Sequence, residues 1–327
     1  MQNIKHTNLT VAKGINNLHD KVQLGDFEDT NARYPKERTV NVLAEANNVD
    51  IDSVGMVRRR KGRTPLLISA TPHSLWGHPN DDSIVYFVSD RVLYKLNSDY
   101  TRTAITTFSS DERASFVAIN DEVVVTNKTE IGWVNGTTFV PFQQQVSTFE
   151  KLMPAGQYVA FYRGCLFVAS GSVLYASKPW NAEVRDERFS EFPMNGHIRM
   201  LAPVEDGLWI ATEKNVSFMN GFGTDEFEFV HKSDFVPADG CFGYGYLRGD
   251  KNSEMQVWWA ADGFITGKAN GAYENISQDQ VRLPSGEVGY CLRTEQDGYY
   301  QYIAVIPKAE NGNIYIPPTL PIETINY

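Results

Sequence analysis

Side chains that could do chemistry are scattered thinly along this 327-residue chain. Its six histidines are His6, His19, His73, His78, His197 and His231. His73 and His78 are separated by Ser-Leu-Trp-Gly, a spacing that fits neither one helix face nor alternate positions of a strand, so they read as separate side chains rather than a metal pair. The acidic doublets Asp81-Asp82 and Asp121-Glu122 have the residue types of a glycosidase pair, but both stand just before apolar runs, where solvated turn carboxylates belong. Cys165, Cys241 and Cys291 are odd in number and widely spaced, which suits small core residues in a reducing compartment. The sequence holds no Gly-x-Ser-x-Gly elbow, P-loop or His-Glu-x-x-His motif. The reading is of a chain without catalytic centre, metal or cofactor.

Two surfaces remain that could recognise something. Arg58, Arg59, Arg60, Lys61 and Arg63 put five cations on one arm of a hairpin whose other arm is Val49-Asp-Ile51 and whose turn is Asp52-Ser-Val-Gly55. Such a stripe can touch phosphates, pair with acidic residues of a partner, or serve as a solvated edge that keeps a hairpin from aggregating. In a chain of 40 acidic and 30 basic residues, with net charge -10, the partner or edge readings stand ahead of nucleic acid. Trp180, Trp258 and Trp259, together with surface carboxylates, could form a carbohydrate site. Against this, two successive strand residues point one ring to the core and the other to the next sheet.

What must position these groups is an all-β scaffold. Aromatics make up 12% of the chain and glycine contributes 25 residues, the ingredients of short strands joined by tight turns. From Ile84 onward a hairpin cassette recurs, and its matched positions Val85, Val124, Phe167, Trp209, Trp258 and Tyr300 stand 39 to 49 residues apart. That interval suits four-stranded propeller blades. Asn135-Gly136, Asn220-Gly221 and Asn270-Gly271 each follow a cassette and predict type I′ hairpins leading to an outer strand. The expected fold is a degenerate β-propeller of about 5–6 blades spanning 81–307. An extended N-terminal arm, 1–80, carries the basic hairpin, and a proline-rich C-terminal tail covers 308–327. The start lacks an apolar signal core, and no run approaches the length of a membrane span, so no membrane insertion is expected.

Gly14-Ile-Asn-Asn17, Asn47-Asn-Val-Asp-Ile-Asp52 and Arg58-Arg-Arg-Lys-Gly-Arg-Thr64 occur in an order that resembles the start of tail structural proteins of tailed bacteriophages, of the nozzle, hub or stabilisation type. In that group the N-terminus leads through a hairpin and an Arg-Arg-Arg-x-Gly turn into a propeller. Familiar nozzle proteins are often longer and carry extra domains. The resemblance implies a noncatalytic viral protein of the virion, found in the tail and, during assembly, in the host cytoplasm. Its partners would be other tail proteins and copies of itself, joined in a ring homo-oligomer such as a hexamer at the distal tube, nozzle or tail tip. A negatively charged lumen would let the genome slide through during DNA ejection without specific binding. The alternative is a receptor-binding or glycan-cleaving propeller of the tail tip that uses Trp180, Trp258 and Trp259.

Overall fold

A computed structural model describes residues 72–221, 226–234, 236–246, 254–260, 263–275, 288–296 and 299–305, with short strand pairs at 49–51 and 57–59 and at 309–310 and 313–314. Among these residues every regular element is a strand. Sheet 1 is a meander of Pro72–His78, Asp81–Ser89, Val92–Leu96 and Arg102–Thr107. Sheet 2 consists of Ser115–Ile119, Glu122–Thr126, Ile131–Asn135 and Thr138–Pro141. Sheet 3 comprises Tyr158–Tyr162, Cys165–Ser170, Val173–Ala176 and Glu191–Pro193. Sheet 4 contains Ile198–Val204, Gly207–Thr212, Val216–Asn220 and Glu228–Ser233. Sheet 5 contains Pro237–Tyr246, Glu254–Ala260, Gly263–Lys268 and Tyr273–Asn275, and a two-stranded sheet of Tyr290–Gln296 and Tyr299–Val305 follows it.

The first strand of each sheet touches the first strand of the next, from Pro72–His78 through to Tyr290–Gln296. Successive four-stranded antiparallel meanders arranged around their first strands make a β-propeller. Hydrophobic clusters fill the gaps between neighbouring sheets: Tyr86, Val88 and Phe116 between sheets 1 and 2, and Val124, Val159 and Leu166 between 2 and 3. Phe167, Leu201 and Ile210 lie between 3 and 4, and Trp209, Phe218 and Trp258 between 4 and 5.

All six matched positions of the sequence period fall in the second strand of their sheet. The reason is burial. In the four-stranded sheets the second strand is flanked on both sides, and in sheets 3 and 4 it is covered on both faces, so all six residues of Gly207–Thr212 and five of six in Cys165–Ser170 are buried. A strand covered on both faces needs a continuous apolar run instead of alternation.

Three expectations shift in detail. Sheet 1 begins at Pro72, so the expected boundary at 80/81 falls inside its first hairpin; Pro72–His78 alternates between exposed and half-buried positions and has no apolar run to reveal it. Within the expected extended tail, Ala309–Glu310 pairs antiparallel with Asn313–Ile314. Asn135-Gly136 and Asn270-Gly271 do mark turns, while the segment after Asn220-Gly221 lies outside the described residues; in these pairs only the glycines take positive φ, Gly136 at 62° and Gly271 at 74°. Gly136 is the first central residue between the paired Asn135 and Thr138, as in a type II′ turn. The pattern of a type I′ turn, with both central residues at positive φ, stands instead at Asp90-Arg91 and Arg163-Gly164.

Candidate functional site

The basic stripe is a paired hairpin where it is described: Val49 faces Arg59, Asp50 faces Arg58 and Ile51 faces Val57. Arg60, Lys61 and Arg63 lie outside the described residues. The histidines diverge as expected, His73 Nε2 lying 3.2 Å from Asp111 Oδ1 while His78 Nδ1 accepts from the Asn80 amide at 3.2 Å.

The structure does not bring the three tryptophans together. Trp258 is 1% exposed and packs against Trp209 in the gap between sheets 4 and 5, so it cannot meet a glycan. Trp259, on the opposite face of the same strand, stands edge-on to Phe264 with centroids 5.3 Å apart. Trp180 is 82% exposed. The proposed three-ring carbohydrate site is thereby corrected to one ring, because strand alternation sends the adjacent pair to opposite faces.

Trp180 sits on an excursion of sheet 3 that leaves after Ala176 and returns at Glu191. Inside it, Val184–Asp186 pairs with Glu150–Leu152. The Met153 amide donates to Glu183 O at 2.7 Å, and Glu183 in turn accepts from Trp133 Nε1 at 2.9 Å and from the amides of Gln143 and Gln144 at 3.0 and 2.9 Å. These bonds tie the excursion to sheet 2. The Trp180 amide donates to Gly164 O at 2.7 Å, and the indole lies over Gly164, where an added Cβ would come 3.0 Å from Trp180 Cε2. Trp180 takes φ 61°, a conformation that a bulky side chain adopts only when its surroundings impose it. The result is a cleft of about 310 Å³ between sheets 2 and 3, lined by Trp180, Phe161, Asn120, Glu122, Gln144 and Asn181 among others.

Charge pairs hold the excursion in place. Glu150 and Asp186 face one another across the strand pair, and each carboxylate is neutralised by its own cation, Lys178 for Glu150 and Arg188 for Asp186. The Lys178 ammonium holds Glu150 down at about 2, and the Arg188 guanidinium, bonded to both carboxylate oxygens, does the same for Asp186. Folded values below the ordinary carboxylate range mean that this stabilisation is complete above the ordinary values and is lost as pH falls through the folded ones. Acidification from about pH 5 to about pH 2 is therefore expected to release residues 177–190. Hydrogen exchange of their amides checks this: protection that survives to pH 2 would count against the ion pairs as the fastening.

A second cluster lies where the first strands converge. Arg113, just before the first strand of sheet 2, donates from Nη1 to Asp239 O at 3.1 Å and from Nη2 to Gly289 O at 2.9 Å. Its guanidinium lies 4.1 Å from the centroid of the Tyr290 ring. Tyr158 donates its hydroxyl to the Asp239 carboxylate, and burial, reinforced by that carboxylate, pushes the hydroxyl well above its ordinary value. The sequence reading missed this cluster, since its members come from four separate stretches of the chain, around 113, 158, 239 and 289, and none belongs to a motif.

No family model matches the chain, and no curated protein matches it. Among solved structures, virginiamycin B lyase from Staphylococcus aureus superposes with a TM-score of 0.47 at 9% identity, covering 73% of this chain and 86% of that one. The N-terminal domain of Nup159 gives 0.45 at 10% identity, over 71% and 72%. PorZ of Porphyromonas gingivalis gives 0.40 at 11% identity, over 72% of this chain and 29% of its own. Likenesses this distant carry no inference about what the chain does.

Proposed function

We propose that the chain is a noncatalytic structural propeller of a bacteriophage tail, one subunit of a ring that forms part of the DNA conduit at the distal tube, nozzle or tip. The observation that carries this reading is the paired hairpin of Val49–Ile51 and Val57–Arg59, whose return strand opens the basic run and precedes the first sheet at Pro72. Along the sequence, hairpin, basic run and propeller follow in the order that the resemblance implies. The axial cluster of Arg113, Tyr158 and Asp239 adds a second support: each propeller is braced across its own centre, so the conduit in this reading is the lumen shared by the ring of subunits. The basic run then holds a neighbouring subunit or tail protein rather than the genome.

Replacing Arg58, Arg59, Arg60, Lys61 and Arg63 together by alanine tests the assignment. The purified variant keeps its β-sheet circular dichroism and melting temperature, while its incorporation into tails falls by about tenfold or more, as for loss of an interface anchor. Normal particles carrying the variant at full occupancy would refute it.

A further inference from the structure

The cleft at Trp180 sets an exposed ring beside a rim of amides and carboxylates. One face of the indole rests on Gly164 and the other is open, so the ring is a fixed platform rather than a loose surface side chain. Asn120, Arg163 and Trp180, at φ 56°, 47° and 61°, all stand in tight turns at the cleft or beneath it, and the turn that carries Trp180 is closed by the Asn181 amide donating to Lys178 O at 3.1 Å, which fixes where the ring starts. The excursion that presents Trp180 is anchored by three hydrogen bonds to the Glu183 carboxylate and by the Lys178–Glu150 pair, so the platform is ordered before any ligand arrives.

The polar rim consists of Asn120, Gln144 and Asn181, whose side-chain amides make no hydrogen bond among the described residues, together with the exposed Glu122. Amides both donate and accept, which matches hydroxyl groups doing the same. A cation would be drawn to Glu122, Glu183 and the indole face but would leave the N–H donors of the rim amides unmatched. An anion would meet Glu122 and Glu183, while the nearest cations are engaged, Arg163 with Asp206 and Lys178 with Glu150. At about 310 Å³ the cleft falls at the small end of ligand sites. We infer that the cleft between sheets 2 and 3 binds a neutral pyranose, with the apolar face of the sugar on Trp180 and its hydroxyls on the rim amides. This inference is independent of the tail assignment and holds or fails without it.

The test is NMR titration of the full chain, following the Trp180 indole N–H resonance, identified by its loss in Trp180→Phe. The probes are the methyl glycosides of glucose, galactose and N-acetylglucosamine, with glucuronic acid and tetramethylammonium for comparison. At least one neutral glycoside is expected to shift the resonance with a Kd on the order of millimolar. Because Trp180 is exposed, Trp180→Ala folds normally, and rim shifts in that variant report an affinity lowered about tenfold or more, with Trp180→Phe in between. The inference is overturned if no neutral glycoside shifts the indole at about 50 mM, well above a millimolar Kd. It is equally overturned if tetramethylammonium or glucuronic acid binds more tightly than every neutral sugar, or if Trp180→Ala binds as well as the parent.

Discussion

Trp209→Ala lowers the unfolding free energy by about 4 kcal/mol, the expected cost of truncating a fully buried indole. The side chain is 0% exposed and lies in the gap between sheets 4 and 5, its ring centroid 4.9 Å from that of Phe218 and 5.4 Å from that of Trp258. Its Nε1–H donates to Lys268 O at 3.1 Å, linking two sheets through a bond between residues 59 positions apart. Sheet 5 is shaped around it. An added Cβ on Gly267 would lie 2.6 Å from Trp209 Cε2, so the strand approaches the ring as closely as glycine allows. Alanine would leave a cavity that these two sheets cannot close without disturbing their outer neighbours, and would remove one of two donors to the Lys268 carbonyl, which keeps the Gly271 amide at 3.1 Å. Trp209→Phe fills part of the hole without restoring that bond, and is expected to cost about 2 kcal/mol. Trp180→Ala, at an exposed ring, is the control and costs under about 0.5 kcal/mol. Denaturant unfolding followed by far-UV circular dichroism measures all three, read as a shift of midpoint at constant slope. If Trp209→Ala unfolds at the same midpoint as Trp180→Ala, sheets 4 and 5 are not packed around this ring.

The residues that made the propeller legible are the ones this experiment removes or neighbours. Second strands such as Cys165–Ser170 and Gly207–Thr212 are buried throughout, so they appear in the sequence as uninterrupted apolar runs, and their recurrence carries the period. Fourth strands, and the first strand of sheet 1, are partly exposed. Pro72–His78 and Glu191–Pro193 therefore carry little pattern of their own, which is why the first sheet starts earlier than its sequence suggests. Trp180 could be named in advance as a candidate contact, but not its companions. Asn120, Phe161 and Gln144 reach the cleft only because the 177–190 excursion folds back onto sheet 2, a long-range event with no local signal. Burial of Trp258 agreed with strand alternation, which had already assigned one ring of the adjacent pair to the core. The basic hairpin was legible in its pairing, because Val49-Asp-Ile51 and Val57-Arg-Arg59 are extended runs close together in the sequence, whereas what it contacts depends on a partner.

Arg113→Ala is expected to loosen the far side of the ring while leaving the middle intact. The guanidinium spans the axis from sheet 2 to carbonyls on sheet 5 and on the segment that opens the two-stranded sheet, so one side chain links parts of the chain 126 and 176 residues apart. Hydrogen bonds from a charged donor contribute about 1.5–3 kcal/mol each, and cutting both takes the guanidinium from the half-buried Gly289 carbonyl and from Asp239 O, which keeps the Gly289 amide at 2.9 Å, for a loss of about 3 kcal/mol. The backbone is fitted to this fork: Gly240 takes φ 79°, and a Cβ there would come 2.3 Å from Arg113 Nη1. Lysine carries the same charge but as a single point, and it cannot reach two carbonyls in fixed geometry while lying flat on Tyr290, so Arg113→Lys should restore less than half of the loss. Hydrogen exchange separates this local effect from global unfolding. Amides of 237–246 and 288–296 are expected to exchange about tenfold faster or more, and those of 159–170 and 198–212 to stay unchanged, since the cluster around Phe167 and Ile210 does not depend on the arginine. Uniform acceleration in all four segments would mean that Arg113 supports the whole fold rather than closing its ring, and an unchanged profile would mean that the axis is held by packing alone.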